Sequence, residues 1–162
     1  MHTRRVVILG PGGAGKSFFA ARLAQRTGLP LVELDGLFWD DVLVPTPPDR
    51  WVSIQESLVS KPAWILDGDL GPYDVIEPRL RAADTIVVLD FPRWRCGWRA
   101  LRRSRERLDF WHWLWTWRRD YRPQLMAAIR TNAPTAEVHL PRRARDLDRL
   151  VEDLSRTADG SG

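Results

Sequence analysis

The sequence contains a single cysteine, Cys96, in 162 residues. One thiol closes no internal disulfide and builds no zinc cluster. The three histidines, His2, His112 and His139, are scattered, so a structural metal site is not expected. Lysine is scarce too: of 25 basic residues only Lys16 and Lys61 are lysines, and the rest are arginines. Long apolar runs are missing. After Arg4 and Arg5 the run from Val6 to Leu9 stops at Gly10, too short for a secretory leader or a membrane span. A cytoplasmic protein is therefore the expectation. No internal repeat stands out, which argues against a solenoid.

What is present suits one soluble domain. A mass of 18.7 kDa, 44% apolar and 28% charged residues allow a proper core without covalent staples. The reading is a single domain over residues 1–156 and a flexible tail over 157–162. Net charge is +4, unevenly spread. Residues 93–122 hold ten arginines and three acids, a block that attracts phosphates.

Five short runs read as strands: 5–9 (RVVIL), 31–34 (LVEL), 63–66 (AWIL), 85–89 (TIVVL) and 136–140 (AEVHL). The first, third and fourth are nearly continuous in apolar residues, as in parallel sheets covered on both faces. Helical patterns separate them, at 16–26 with Gly28 as its stop, at 48–59, at 93–108, at 110–129 and at 143–154. Strands alternating with helices predict an α/β fold with a parallel sheet. Trp111, Trp113, Trp115 and Trp117 have a period of two, but Phe110, Leu114, Trp117 and Tyr121 also fit a helix, and no turn residue interrupts 110–122. The helix is preferred, with the indoles as packing residues rather than a base-stacking platform.

Gly10-Pro11-Gly12-Gly13-Ala14-Gly15-Lys16-Ser17 matches G-x-x-x-x-G-K-[ST] between a predicted strand and a predicted helix. The glycines let backbone N–H groups turn toward phosphates, and the helix N-terminus adds partial positive charge. Lys16 is placed to reach the β- and γ-phosphates and Ser17 to bind Mg²⁺. The guanine signature N-K-x-D is missing, against a Ras-type GTPase. No second catalytic glutamate follows an apolar run, against a motor ATPase.

Three apolar runs end in aspartate, at Asp35, Asp67 and Asp90. Ligands of such sheets bind beyond the carboxyl ends of the strands. Asp67 is the candidate metal residue and Asp35 the candidate acceptor-side residue, while Asp90 reads as a cap of the next helix. Arg99, Arg102 and Arg103 on one predicted helix and Arg118, Arg119 and Arg122 on the next could clamp transferring phosphate.

With these segments the chain resembles the adenylate-kinase-like P-loop kinases, and most nearly the small bacterial group called topology modulation proteins. The matching stretches are GPGGAGKS at 10–17, LPLVELDGLFW at 29–39, TPPDRW at 46–51, WILDGD at 64–69 and AADTIVVLDFPRWRCGWR at 82–99. They end with RRDYRP at 118–123. The resemblance implies a three-layer P-loop fold whose five-stranded parallel sheet has the order 2-3-1-4-5, with a lid at about 99–122. It implies ATP, Mg²⁺ and a nucleotide or small-molecule acceptor. It places Lys16, Asp35, Arg103, Arg119 and Arg122 in catalysis. Gly10, Gly12, Gly13, Ala14, Gly15, Lys16, Ser17, Phe18, Arg99 and Arg142 fall to the nucleotide, with the strand end at His139 passing the adenine. Ser17 and Asp67 fall to the metal. The chain departs from that pattern in a lid cut to residues 104–109, in Phe18 where relatives favour threonine, and in Asp69-Leu70 where they often have Asn-Tyr. The leading expectation is a small P-loop kinase. A nucleotide-binding regulatory module without turnover comes second and a nucleic-acid binder third.

Overall fold

The computed structural model describes residues 2–40, 42, 44–90 and 117–160. Five strands form one parallel sheet: β1 Arg5–Leu9, β2 Leu31–Glu33, β3 Trp64–Asp67, β4 Thr85–Val88 and β5 Glu137–His139. Their order is β2-β3-β1-β4-β5, every neighbouring pair parallel. This is the expected order, and each strand lies within a residue or so of its predicted run.

Alternation along β1 divides the core into two layers. Val6 and Ile8 pack on the face that also holds Phe19 and Leu23 of α1 (Lys16–Thr27) and Leu150, Val151 and Leu154 of α6 (Ala144–Asp159). Val7 and Leu9 point the other way. There they meet Trp51 of α3 (Pro48–Val59), Leu80 of α4 (Glu77–Ala82), and Leu125 and Ile129 of α5 (Arg122–Asn132). β3, β4 and all of β1 but Arg5 are buried because helices cover both faces, which explains their nearly continuous apolar sequence. The short helix α2 (Asp35–Phe38) follows β2 directly.

α1 ends as its sequence predicts. Gly28 takes φ 70° and its N–H returns to the Ala24 carbonyl at 2.8 Å. α3 starts behind Pro47 and carries Pro48 at its first position, where the missing N–H costs nothing.

Three helical expectations need correction. α4 was not foreseen: it is six residues long, too short to show a period. The helix predicted over 110–129 is not uniform in its described part. Trp117–Tyr121 winds as a π-helical turn, and α5 starts at Arg122 and continues to Asn132. Pro123 explains the break, since it has no N–H for the carbonyl four residues back and its ring crowds that carbonyl. The closing helix runs to Asp159 rather than stopping at Leu154, and Thr157 there is hydrogen-bonded to Thr3, 2.7 Å apart. The predicted helix at 93–108 and Trp111, Trp113 and Trp115 lie outside the described residues. No helix among those described is long and apolar enough to cross a membrane.

Candidate functional site

β1 delivers the glycine-rich segment to the carboxyl edge of the sheet, between β3 and β4. Gly10 leaves the strand at φ 138°, and a Cβ there would sit 2.7 Å from the Leu89 carbonyl oxygen. Gly13 (φ 73°) and Gly15 (φ 90°) also take positive φ, so the loop curls back before α1. The Ala14 side chain packs into the core under the loop while its N–H donates to the Pro11 carbonyl at 3.2 Å. α1 has no side-chain cap and no acid in its first turn. Its leading N–H groups therefore keep their positive character for an anion. Lys16 opens the helix, and its Nζ donates to the Pro11 carbonyl at 3.2 Å, which holds the ammonium over the loop.

Asp67 ends β3 beside this loop. It is only 4% exposed, with the Ser17 hydroxyl close by. Its Oδ1 is buried with no hydrogen-bond partner. Burial raises its pKa, Lys16 and the Ser17 hydroxyl offset part of that, and Asp35 and Glu33 add to it. A buried, unshared carboxylate oxygen next to a hydroxyl is a donor set for a hard cation. Among the described residues no three His, Cys, Asp or Glu side chains converge as a metal cage. A magnesium ion here would share its coordination with phosphate and water, as is usual for that ion.

Asp35 opens α2, one strand over. Loss of surrounding water raises its pKa, Lys16 opposes the rise, and Asp74 and Glu33 reinforce it. The structure thus brings Lys16, Ser17, Asp35 and Asp67 to one edge from three points in the sequence.

Two further acids hold the edge in place, and sequence reading assigned them no role. Asp69 accepts from the Gly10 N–H at 3.1 Å and the Gly71 N–H at 3.2 Å, and the nearby Tyr121 hydroxyl donates to the Gly71 carbonyl at 3.3 Å. Asp69 is buried, which raises its pKa, with Lys16 opposing. Desolvation first, and the neighbouring Asp69 and Asp74 after it, raise the Tyr121 phenol as well. Asp74 pairs with Arg79, both side chains fully buried. Asp74 also accepts from the Trp51 indole at 3.1 Å, while Arg79 donates to the Gln55 side-chain oxygen at 2.7 Å and to the Gly68 carbonyl at 3.3 Å. Burial works against the Arg79 charge, but Asp74 outweighs it and the pKa stands above its ordinary value. This network braces the loop after β3 from below. An arginine on an unforeseen helix, next to apolar leucine, gave no sequence signal for it.

The other predicted residues are spread more widely. Arg122 pairs with Asp90 at 3.1 Å, so Asp90 anchors α5 to the end of β4. Arg119 is exposed on the π-helical turn and bonds Asp120 at 2.7 Å. Phe18 is 68% exposed, with the Arg22 guanidinium 5.7 Å from its ring centre. Gly12 lies within the loop, and Arg142 is exposed after β5. His139 Nε2 lies 3.2 Å from a Glu137 carboxylate oxygen. Arg99, Arg102, Arg103 and residues 104–109 of the expected lid lie outside the described residues, as does the Arg118 side chain. Two surface depressions lie away from the loop, one by Arg22 and Asp148 and one by Val52 and Pro78.

A phosphate loop after the central strand of a parallel 2-3-1-4-5 sheet, with helices on both faces, defines the P-loop kinase fold. The chain is similar to shikimate kinase from Acinetobacter baumannii in complex with shikimate (TM-score 0.67, 17% identity, 94% of this chain and 90% of that one). It is also similar to a gluconokinase from Sinorhizobium meliloti (TM-score 0.55, 18% identity, 96% and 91%). Identities this low show the fold alone. In sequence it is 36% identical over 97 residues to adenylate kinase from Mycobacterium leprae, covering 55% of this chain and 48% of that protein. With adenylate kinase from Nocardia farcinica it shares 33% over 96 residues, with the same coverage. The chain spans about half the length of these curated relatives. No protein-family profile matches it.

Proposed function

We propose that the chain is an ATP- and Mg²⁺-dependent phosphotransferase acting on a nucleotide or other small-molecule acceptor. One observation carries this reading: the buried Asp67 carboxylate, whose Oδ1 has no hydrogen-bond partner, stands close to Ser17 and Lys16 at the start of α1. The names of the sequence relatives and the fold neighbours, all kinases, support it.

Each residue has a task in this reading. Amides of the 10–17 loop and Lys16 hold the triphosphate, and Phe18, Arg99 and Arg142 flank the nucleotide. Ser17 and Asp67 would hold Mg²⁺, which when bound offsets charge on the β- and γ-phosphates. Asp35 orients the acceptor and takes its proton if the acceptor atom is a hydroxyl. Arg103, Arg119 and Arg122 supply positive charge from the lid side.

The test is acceptor-dependent ADP formation with Mg²⁺ across nucleoside monophosphates, nucleosides and hydroxyl metabolites. Lys16→Ala is expected to lower turnover by about a hundredfold or more while the fold stays intact. A rate unchanged by Lys16→Ala would refute the mechanism. ATP binding without turnover on any acceptor would favour a regulatory module.

A further inference from the structure

We propose that Tyr121 is a positioning residue for nucleotide binding: its hydroxyl holds Gly71, and through Gly71 and Asp69 it sets the first glycine of the phosphate loop. The π-helical turn Trp117–Tyr121 and the phosphate loop then form one coupled unit, and nucleotide bound at the loop steadies the start of α5. This rests on the nucleotide-binding half of the phosphotransferase reading.

The coupling runs through three contacts. The Tyr121 hydroxyl donates to the Gly71 carbonyl at 3.3 Å, and the Asp74 N–H donates to the same oxygen at 3.2 Å. The Gly71 N–H donates to Asp69 Oδ1 at 3.2 Å. The other oxygen of Asp69 takes the Gly10 N–H at 3.1 Å. Gly71 stands at φ 67°, a conformation that glycine enters and leaves freely. What fixes it is therefore the grip on its two polar groups, from Asp69 on one side and from Tyr121 and Asp74 on the other. Tyr121 is 50 residues from Gly71 and Asp69 is 59 from Gly10, so these are tertiary contacts between separate elements.

The winding at 117–121 explains how two neighbouring side chains both reach the sheet edge. In an α-helix residue i+5 points about 140° away from residue i. A π-turn closes i to i+5 and brings residues i+4 and i+5 to either side of i; such turns occur mostly at functional sites. Trp117 is buried in the core, its ring 6.4 Å from that of Tyr121. Tyr121 then meets the segment after β3, and Arg122 meets Asp90 beyond β4 at 3.1 Å. The phosphate loop leaves β1, which lies between those two strands. Gly10 rests against Leu89, the residue before Asp90, so closely that an added Cβ would lie 2.7 Å from its carbonyl oxygen. The turn is thus attached on both sides of the phosphate loop.

Burial, with Asp69 and Asp74 close by, raises the Tyr121 phenol above its ordinary range, so the hydroxyl stays protonated and stays a donor. Phenylalanine keeps the ring and removes only that donor. The Gly71 carbonyl retains the Asp74 N–H, so Tyr121→Phe strands no buried acceptor and the fold is expected to persist.

The experiment uses the full chain and Mg²⁺ with a non-hydrolysable ATP analogue. Calorimetry gives Kd, and hydrogen exchange read by mass spectrometry gives amide protection over residues 8–20 and 117–132 with and without the analogue. In the parent the analogue is expected to slow exchange in both segments. Tyr121→Phe should raise Kd by about three- to tenfold. It should keep the slowing at 8–20 and lose it at 117–132. Thr3→Val is the control. It removes a hydroxyl bonded to Thr157 at 2.7 Å, at the end of β1 away from Gly10 and about 20 Å from it. It should lower the melting temperature and leave Kd and both protection patterns at parent values. Parent values in Tyr121→Phe overturn the proposal, and so does a parent that shows no slowing at 117–132. An equal rise of Kd in Thr3→Val overturns it too, because loss of stability alone then explains the weaker binding. Lys16→Ala separates this proposal from the reading beneath it. Analogue binding that Lys16→Ala abolishes keeps the nucleotide site standing even where Tyr121→Phe overturns the coupling. A parent that does not bind the analogue, or binding that ignores Lys16→Ala, overturns the nucleotide site and the coupling together.

Discussion

The Asp69 carboxylate accepts the Gly10 N–H at 3.1 Å, and this bond ties the first glycine of the phosphate loop to the segment after β3. Its other oxygen takes the Gly71 N–H, so one buried acid sets the position of both loops. Asp69→Ala would leave two buried amides without acceptors. It is expected to destabilise the protein by about 1–3 kcal/mol. Mg-ATP affinity should fall as well, because the loop loses its anchor. Urea unfolding and calorimetric titration of the same variant check both, and unchanged ATP affinity would deny the positioning role.

Gly10 is constrained in two ways. Its φ of 138° strains any side chain, and a Cβ would lie 2.7 Å from the Leu89 carbonyl oxygen. Gly10→Ala should cost at least about 1–3 kcal/mol through backbone strain alone. The same change at Gly36, where an added Cβ meets nothing within 4 Å, should be far milder. Thermal melts of the two variants side by side give the comparison.

Arg79 and Asp74 form a fully buried ion pair. Arg79→Met removes one partner and strands the other charge among apolar side chains. A loss of about 3–5 kcal/mol is expected. The double variant Arg79→Met/Asp74→Asn should recover part of it, since no uncompensated charge remains. Equal stability of the single and double variants would show that the charge is not what matters.

Asp35 provides a pH signature. Its folded pKa is raised, chiefly by desolvation, so the folded chain holds this proton to higher pH than the unfolded chain does. Folding then takes up a proton, and stability falls as pH rises from the ordinary value of 3.8 through the raised folded value. Asp35→Asn removes that loss. It should melt higher than the parent at pH 7 and should match it below about pH 3.8. A variant less stable than the parent at pH 7 would contradict the assigned direction.

Much of the fold was legible because its signals are local. RVVIL and TIVVL are unbroken apolar runs, and a strand covered on both faces needs no polar side. Gly28 and Pro48 punctuate helices by their own backbone limits. The pairing of Lys16 with Ser17 is written in one eight-residue motif. Asp35 and Asp67 could be nominated because each follows an apolar run whose carboxyl end faces ligands in this class of sheet. α4 escaped notice because six residues show no period, and the π-helical turn because a single proline alters how the chain winds locally.

The sequence by itself determined the strand set, the phosphate loop and the candidate acids, since each depends on residues adjacent in the chain. Only the tertiary structure decided which charges meet. Asp69 reaches Gly10 across 59 residues, and Trp51 reaches Asp74 across 23. Arg79 reads as one more surface arginine until the packing of α3 against α4 encloses it with Asp74 and Gln55. Whether a charge is neutralised, shared or left facing a ligand depends on which side chains the fold brings within a few ångströms. Spacing along the chain does not carry that information.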